Sequence, residues 1–120
     1  MIKSRNLLAS LMLALSLSAS FAVPAFAAHE VLDPDTYKIE ENEDEKLTCS
    51  NKKNGRPVTG WVEYRDELYY FKKGVMDEGW DKIDGEWYYF DPETGILATN
   101  TTVLNYDVDG EGRMIKIRKW

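Results

Sequence analysis

Five aromatic side chains, Trp61, Tyr70, Trp80, Trp87 and Tyr89, are the residues of this sequence best placed to do chemistry. Their chemistry is recognition rather than bond breaking. An indole or phenol face carries partial negative charge, so several faces grouped at one edge can hold a cation or stack on a sugar ring. The usual reagents of catalysis are scarce: 120 residues include one His and one Cys, and no glycine-rich loop is spaced to cradle phosphate. That removes most routes to a metalloenzyme, a Cys or Ser/His hydrolase or a P-loop enzyme. No catalytic residue, metal ligand or cofactor is expected, and the chain is read as a non-enzyme. The run NYDVDG (105–110) fills the first half of an EF-hand calcium loop, but the twelfth position is Lys116 where a bidentate Glu is required, so it is set aside.

The aromatics recur because the sequence repeats. GWVEYRDELYYF (60–71) aligns without a gap on GWDKIDGEWYYF (79–90), and Gly74-Val75-Met76 matches Gly95-Ile96-Leu97 two residues out of step. Upstream, NKKNG (51–55) has the spacing of DPETG (91–95). Downstream, Asn105-Tyr106-Asp107-Val108-Asp109 through Gly112 matches Trp87 through Gly95 in shortened form. This gives a half repeat at 45–59, full repeats at 60–78 and 79–99, and a degenerate terminal repeat at 100–120, an array whose end members act as caps. The expected fold class is all-β.

Each full repeat reads as a β-hairpin. Asp84-Gly85 signals a two-residue type I′ turn, which sets Ile83 opposite Glu86, Lys82 opposite Trp87, Asp81 opposite Tyr88 and Trp80 opposite Tyr89. Side chains alternate along a strand, so Trp80, Lys82, Trp87 and Tyr89 share one face, and Ile83, Tyr88 and Phe90 the other. In the first repeat the same rule groups Trp61, Glu63, Leu68 and Tyr70. A lone two-stranded hairpin is marginal in water, so the units must stack. Tyr69, Phe71, Tyr88 and Phe90 are the expected core between them.

Residues 1–27 read as a cleaved signal peptide: Lys3 and Arg5, an uncharged apolar run over 7–23, then Pro24 and Ala25-Phe26-Ala27. No second apolar run follows, so no membrane span is expected after cleavage. The net charge of −6 becomes two units more negative without Lys3 and Arg5, which makes nucleic acid an unlikely partner. Residues 28–44 read as an acidic flexible lead-in, at most a frayed strand near Tyr37, because eight carboxylates and two lysines fall within 29–46. Cys49 is read as a half-buried structural thiol, with intermolecular pairing as the alternative. At the C-terminus, residues 113–120 read as a closing edge strand with Ile115 and Ile117 inward and Lys/Arg outward.

On GWDKIDGEWYYF with Gly95, and on Gly60-Trp61 through Tyr69-Tyr70-Phe71 with Gly74-Val75-Met76, the sequence resembles the cell-wall-binding repeats of Gram-positive surface proteins, the choline-binding and glucan-binding repeats. The resemblance implies a short β-hairpin solenoid in which ligand is held between consecutive hairpins by an aromatic cage, choline on teichoic acid being the best-known ligand. It assigns Trp61 and Trp80 as the Gly-Trp tryptophans and Trp87 as the hairpin tryptophan; Leu68 holds that place in the first repeat and Asn105 in the last. The implied function is a secreted, cell-wall-associated binding module for choline-bearing teichoic acid or a related wall glycan, with ligand residues Trp61, Tyr70, Trp80, Trp87 and Tyr89. The cage between repeats one and two lacks a wall, and the next lacks one unless Tyr106 supplies it. The alternative is a protein-interaction or spacer module without small-ligand binding, and weak self-association is compatible with either.

Overall fold

The computed structural model describes residues 29–117. The expected signal peptide and the last three residues of the basic tail lie outside the described residues. The elements are a single 3-10 turn, Pro34–Thr36, and the strands β1 (Tyr37–Glu41), β2 (Leu47–Asn51), β3 (Gly60–Tyr64), β4 (Glu67–Lys72), β5 (Val75–Met76), β6 (Gly79–Ile83), β7 (Glu86–Phe90), β8 (Thr101–Val103), β9 (Tyr106–Val108) and β10 (Met114–Ile117). Among the described residues the regular structure is thus almost entirely β, as the sequence implies. Among the described residues no helix is long and apolar enough to cross a membrane.

Every strand pair is antiparallel, in sheets of order β1-β2-β5-β4-β3, β6-β7 and β10-β9-β8. In β6-β7 the register is the one the turn dictates, with Ile83 on Glu86, Lys82 on Trp87, Asp81 on Tyr88 and Trp80 on Tyr89. Asp84 and Gly85 both have positive φ, 51° and 88°, as a type I′ turn requires. Arg65-Asp66 reaches the same geometry, φ 54° and 67°, without a glycine.

Alternation along the strands decides which hairpin packs on which. One face of β3-β4 sends Val62, Tyr69 and Phe71 into a cluster with Tyr37, Cys49 and Met76. Its other face sends Trp61, Leu68 and Tyr70 against Ile83, Tyr88 and Phe90 of β6-β7. The β3-β4 hairpin is therefore core on both sides, and Phe71, Phe90 and Val62 are wholly buried. Backbone bonds tie the units as well: the Leu97 N–H donates to the Leu68 carbonyl at 2.9 Å, and the Cys49 N–H to the Gly74 carbonyl at 2.8 Å. Three of the units close in loops built alike, the exception being the first full repeat, where Lys72 stands at the Asp91 position and the Lys73 amide donates to Thr59 Oγ1. Asn51 Oδ1 accepts from the amides of Lys53 and Asn54, Asp91 Oδ1 from those of Glu93 and Thr94, and Asp109 Oδ1 from those of Glu111 and Arg113.

Three expectations are corrected. The flexible acidic lead-in is instead the first strand of a hairpin, β1 pairing with β2 from Tyr37–Asn51 to Glu41–Leu47. Alternation outweighs charge density there: Tyr37 is buried and Ile39 packs on the first cluster, while Lys38, Glu40 and Glu41 face solvent. What reads as a half repeat from residue 45 is thereby completed by the residues before it. Second, the Cys49 thiol is fully buried rather than half-buried, and burial pushes its pKa up to about 11. Such a thiol is a packing group, not a nucleophile or a ready disulfide partner. Third, β10 is the expected edge strand, but Ile115 and Ile117 are exposed. A bulge between Met114 and Lys116 displaces Ile115 from the ladder, and Met114 is the half-buried residue.

Candidate functional site

The outward face of β6-β7 is capped by the last hairpin. Trp80 stands on β6 and Trp87 on β7, and Tyr106 comes across from β9, its ring 5.3 Å from that of Trp80 at an interplanar angle of 71°. Tyr89, the cross-strand partner of Trp80, lies edge-on to it at 5.1 Å and 60°. Between the two hairpins is a cavity of about 420 Å³ lined by Trp80, Trp87, Tyr106, Met114 and Ile117. Trp87 is 42% exposed, so its indole face is open to solvent and to a ligand.

The sequence-assigned residues fall into two groups. Trp80, Trp87 and Tyr89 belong to this region, with Trp80 and Trp87 in the cavity wall and Tyr89 behind Trp80. Trp61 and Tyr70 are elsewhere, one interface upstream, their rings 5.2 Å apart. Trp61 is 7% exposed and enclosed by Tyr70, Tyr88, Phe90 and His29, so it is core as much as surface. Tyr106 is the conditional wall of the sequence reading, and its alignment with Tyr88 is the signal that places it. Met114 stands two residues after Gly112, as Met76 does after Gly74 and Leu97 after Gly95, and that spacing is the signal that could have found it; Ile117 lies past the bulge that follows Met114, beyond the reach of the repeat pattern.

The chemistry of the cavity follows from its walls. Three aromatic side chains, with the Trp80 and Tyr106 rings at 71° to one another, closed by a thioether and an aliphatic side chain, offer π electrons and apolar surface without a nucleophile or proton shuttle. The EF-hand-like run does not form a calcium loop. Residues 106–108 are strand, Asp107 Oδ1 accepts from the Thr102 hydroxyl at 2.6 Å, and Asp109 Oδ1 is taken by two backbone amides. Among the described residues no three His, Cys, Asp or Glu side chains are grouped to hold a metal ion.

The family model for the choline-binding repeat matches residues 58–101. The crystal structure of the choline binding domain of Spr1274 in Streptococcus pneumoniae is 30% identical, with a TM-score of 0.55, and the match covers 68% of this chain and 94% of that domain. This chain belongs to the choline-binding repeat family. Choline binding protein F from Streptococcus pneumoniae, solved in the presence of a peptidoglycan analogue, is 32% identical with a TM-score of 0.54; the match covers 65% of this chain and 26% of that one, so the chain spans about a quarter of that relative. No curated protein matches. Within this choline-binding repeat chain, the family model ends where β8 begins, so the degenerate last hairpin, which carries Tyr106, lies past it.

A carboxylate pair sits behind Tyr70, where the Asp77 amide donates to the Tyr70 carbonyl. Burial, then a hydrogen bond with Asp81, pushes Asp77 up to about 7, whereas the bond from Asp77, and then Lys72 at 2.7 Å, hold Asp81 below its usual value. The proton of the pair therefore rests on Asp77. A raised carboxylate stabilises the fold below its unfolded pKa of about 3.9, and that contribution is lost as pH rises through about 7; Asp81 acts oppositely, losing its contribution as pH falls below about 4. Asp77→Asn should accordingly remove a stability decline of about 1–2 kcal/mol, discounted for partial exposure, between pH 4 and 7. Thermal melts of both proteins across that range check it. Parallel Tm curves would contradict the assignment.

Proposed function

We propose that the chain is a secreted, non-catalytic module that attaches to the cell envelope by taking a quaternary ammonium group, choline on teichoic acid, into the Trp80/Trp87/Tyr106 cavity. The observation that carries this reading is the convergence of three aromatic side chains from two successive hairpins on one cavity of small-ligand size. A trimethylammonium group is a diffuse, weakly hydrated cation, so it loses little on leaving water and gains from ring faces within about 6 Å. Membership of the choline-binding repeat family and similarity to the Spr1274 choline binding domain support the ligand class. The acidic net charge of the chain, −6, favours a cation over an anionic ligand.

The test is titration of the chain with choline and, separately, with short glucans, following Trp fluorescence. Saturable quenching or enhancement by choline that disappears in Trp80→Ala is expected. A response to glucans alone would move the reading to a wall glycan, and no response to either would reject small-ligand recognition.

A second reading, contact with another protein, is favoured by the exposed apolar side chains at the downstream end, Leu104, Ile115 and Ile117, which are 75%, 59% and 56% exposed. Self-association through that end is the simplest form of it, and sedimentation across a concentration series distinguishes it from ligand binding.

A further inference from the structure

The repeat places a second aromatic site one interface upstream, and its rings have the same geometry. Trp61, Leu68 and Tyr88 stand where Trp80, Trp87 and Tyr106 stand in the downstream site. Trp61 and Tyr88 are 5.0 Å apart at 77°, against 5.3 Å and 71° for Trp80 and Tyr106. Trp61 and Tyr70 are 5.2 Å apart at 71°, against 5.1 Å and 60° for Trp80 and Tyr89. The downstream site is an open cavity, whereas the upstream one is filled. The imidazole of His29 lies on the Trp61 indole, centroids 4.0 Å apart and planes within 17°, and meets the edge of Tyr88 at 5.4 Å.

We infer that residues 29–32 are an intramolecular occupant of the upstream aromatic site, with His29 standing in the place of ligand, so that the chain presents one working site where its repeats would build two. Several independent contacts seat this segment. His29 Nε2–H donates to the Glu111 carbonyl at 2.8 Å, which ties the ring to the loop after β9. Val31 forms a parallel bridge with Trp61, and the Leu32 amide donates to the Trp61 carbonyl at 3.0 Å. Leu32 packs directly over Gly60: a Cβ there, at a φ of +148°, would stand 2.9 Å from Leu32 Cδ1, so the leucine would have to shift. Val31 and Leu32 also pack on the two different core clusters, so the segment is pinned on either side of Trp61.

Leu68 explains why a flat ring suits this site. With no indole in that position, the remaining π surface is the Trp61 face with Tyr88 at its edge, and a stacked imidazole covers it. The segment adds contacts that a freely diffusing ligand would have to replace.

The inference rests on the reading of the downstream cavity as a quaternary ammonium site, and calorimetric titration with choline separates the two. The full chain is expected to bind one choline. His29→Gly is expected to bind two, the second at least about tenfold more weakly because Leu68 offers no ring face. His29→Trp, which keeps a stacked ring on Trp61, should stay at one. A wild-type stoichiometry of two, or a folded His29→Gly that stays at one, would overturn the inference; absence of binding in every variant would instead overturn the functional reading. Should His29→Gly fail to fold, the NMR spectrum of the wild type decides. Ring-current-shifted His29 protons that do not move on choline saturation are expected, and unshifted ones, or ones that move to unstacked positions as choline binds, overturn the occupancy.

Discussion

Phe90→Ala is expected to cost about 3–5 kcal/mol, the usual range for emptying a buried phenylalanine site. Phe90 has no exposed surface and sits in the cluster that joins the two full hairpins, its ring 5.9 Å from Trp61 and 6.5 Å from Tyr70. Its backbone pairs with Gly79 on one side and bridges Leu97 on the other. A small domain has roughly 5–15 kcal/mol in total, and no hairpin of this size stands alone, so the loss is shared by the whole stack. The melting temperature should fall by more than about 12 °C, given about 4–8 °C per kcal/mol in a domain of this size. Circular dichroism melts read this directly. Trp87→Ala, at a position 42% exposed, is the contrasting control, and its melt should shift by only a few degrees.

Trp87→Leu carries the largest expected effect on binding. It writes into the downstream site the substitution that Leu68 makes in the upstream one. Leucine keeps an apolar side chain at a position already 42% exposed, so the hairpin should keep most of its stability. It has no π face, however, and a desolvated cation on an aromatic wall is worth about 2 kcal/mol, or roughly 30-fold in affinity. Choline affinity should drop by about that factor while the melting temperature stays close to that of the wild type. An unchanged affinity would mean that Trp87 lines the cavity without touching the ligand. Trp87→Phe should recover part of the loss, which a purely steric role for the indole would not explain.

Much of the fold was legible because a turn and an alternation determine it. Asp84-Gly85 admits one two-residue turn, and that turn fixes every pair between β6 and β7. The split between Ile83, Tyr88 and Phe90 inward and Trp80, Trp87 and Tyr89 outward follows from the pleat, and the burial of the strands agrees with it. The loops at Asn51 and Asp91 aligned in sequence because each needs a side-chain oxygen to accept from the amides that follow. In the sequence β1 reads as no more than a frayed strand near Tyr37, because its acidic composition masks its alternation. Eight carboxylates dominate residues 29–46, yet Tyr37 and Ile39 suffice to dock an edge strand whose charged side chains stay in water. The site was half legible. Trp80 and Trp87 follow from the hairpin alone, Tyr106 from the alignment and Met114 from its spacing after Gly112, whereas Ile117 arrives past a bulge that no repeat position encodes. Trp61 and Tyr70 were grouped correctly with each other, but what lies over Trp61 is His29, 32 residues earlier in the chain, and no repeat pattern carries that contact.

The central claim is that ligand sits between the second full hairpin and the last one. Intermolecular NOEs between the methyl protons of choline and the assigned ring protons of the full chain test it most directly. Contacts to Trp80, Trp87 and Tyr106, with none to Trp61, are expected. NOEs confined to Trp61 and Tyr88, or bound choline with no NOE to any of the three downstream rings, would contradict the account.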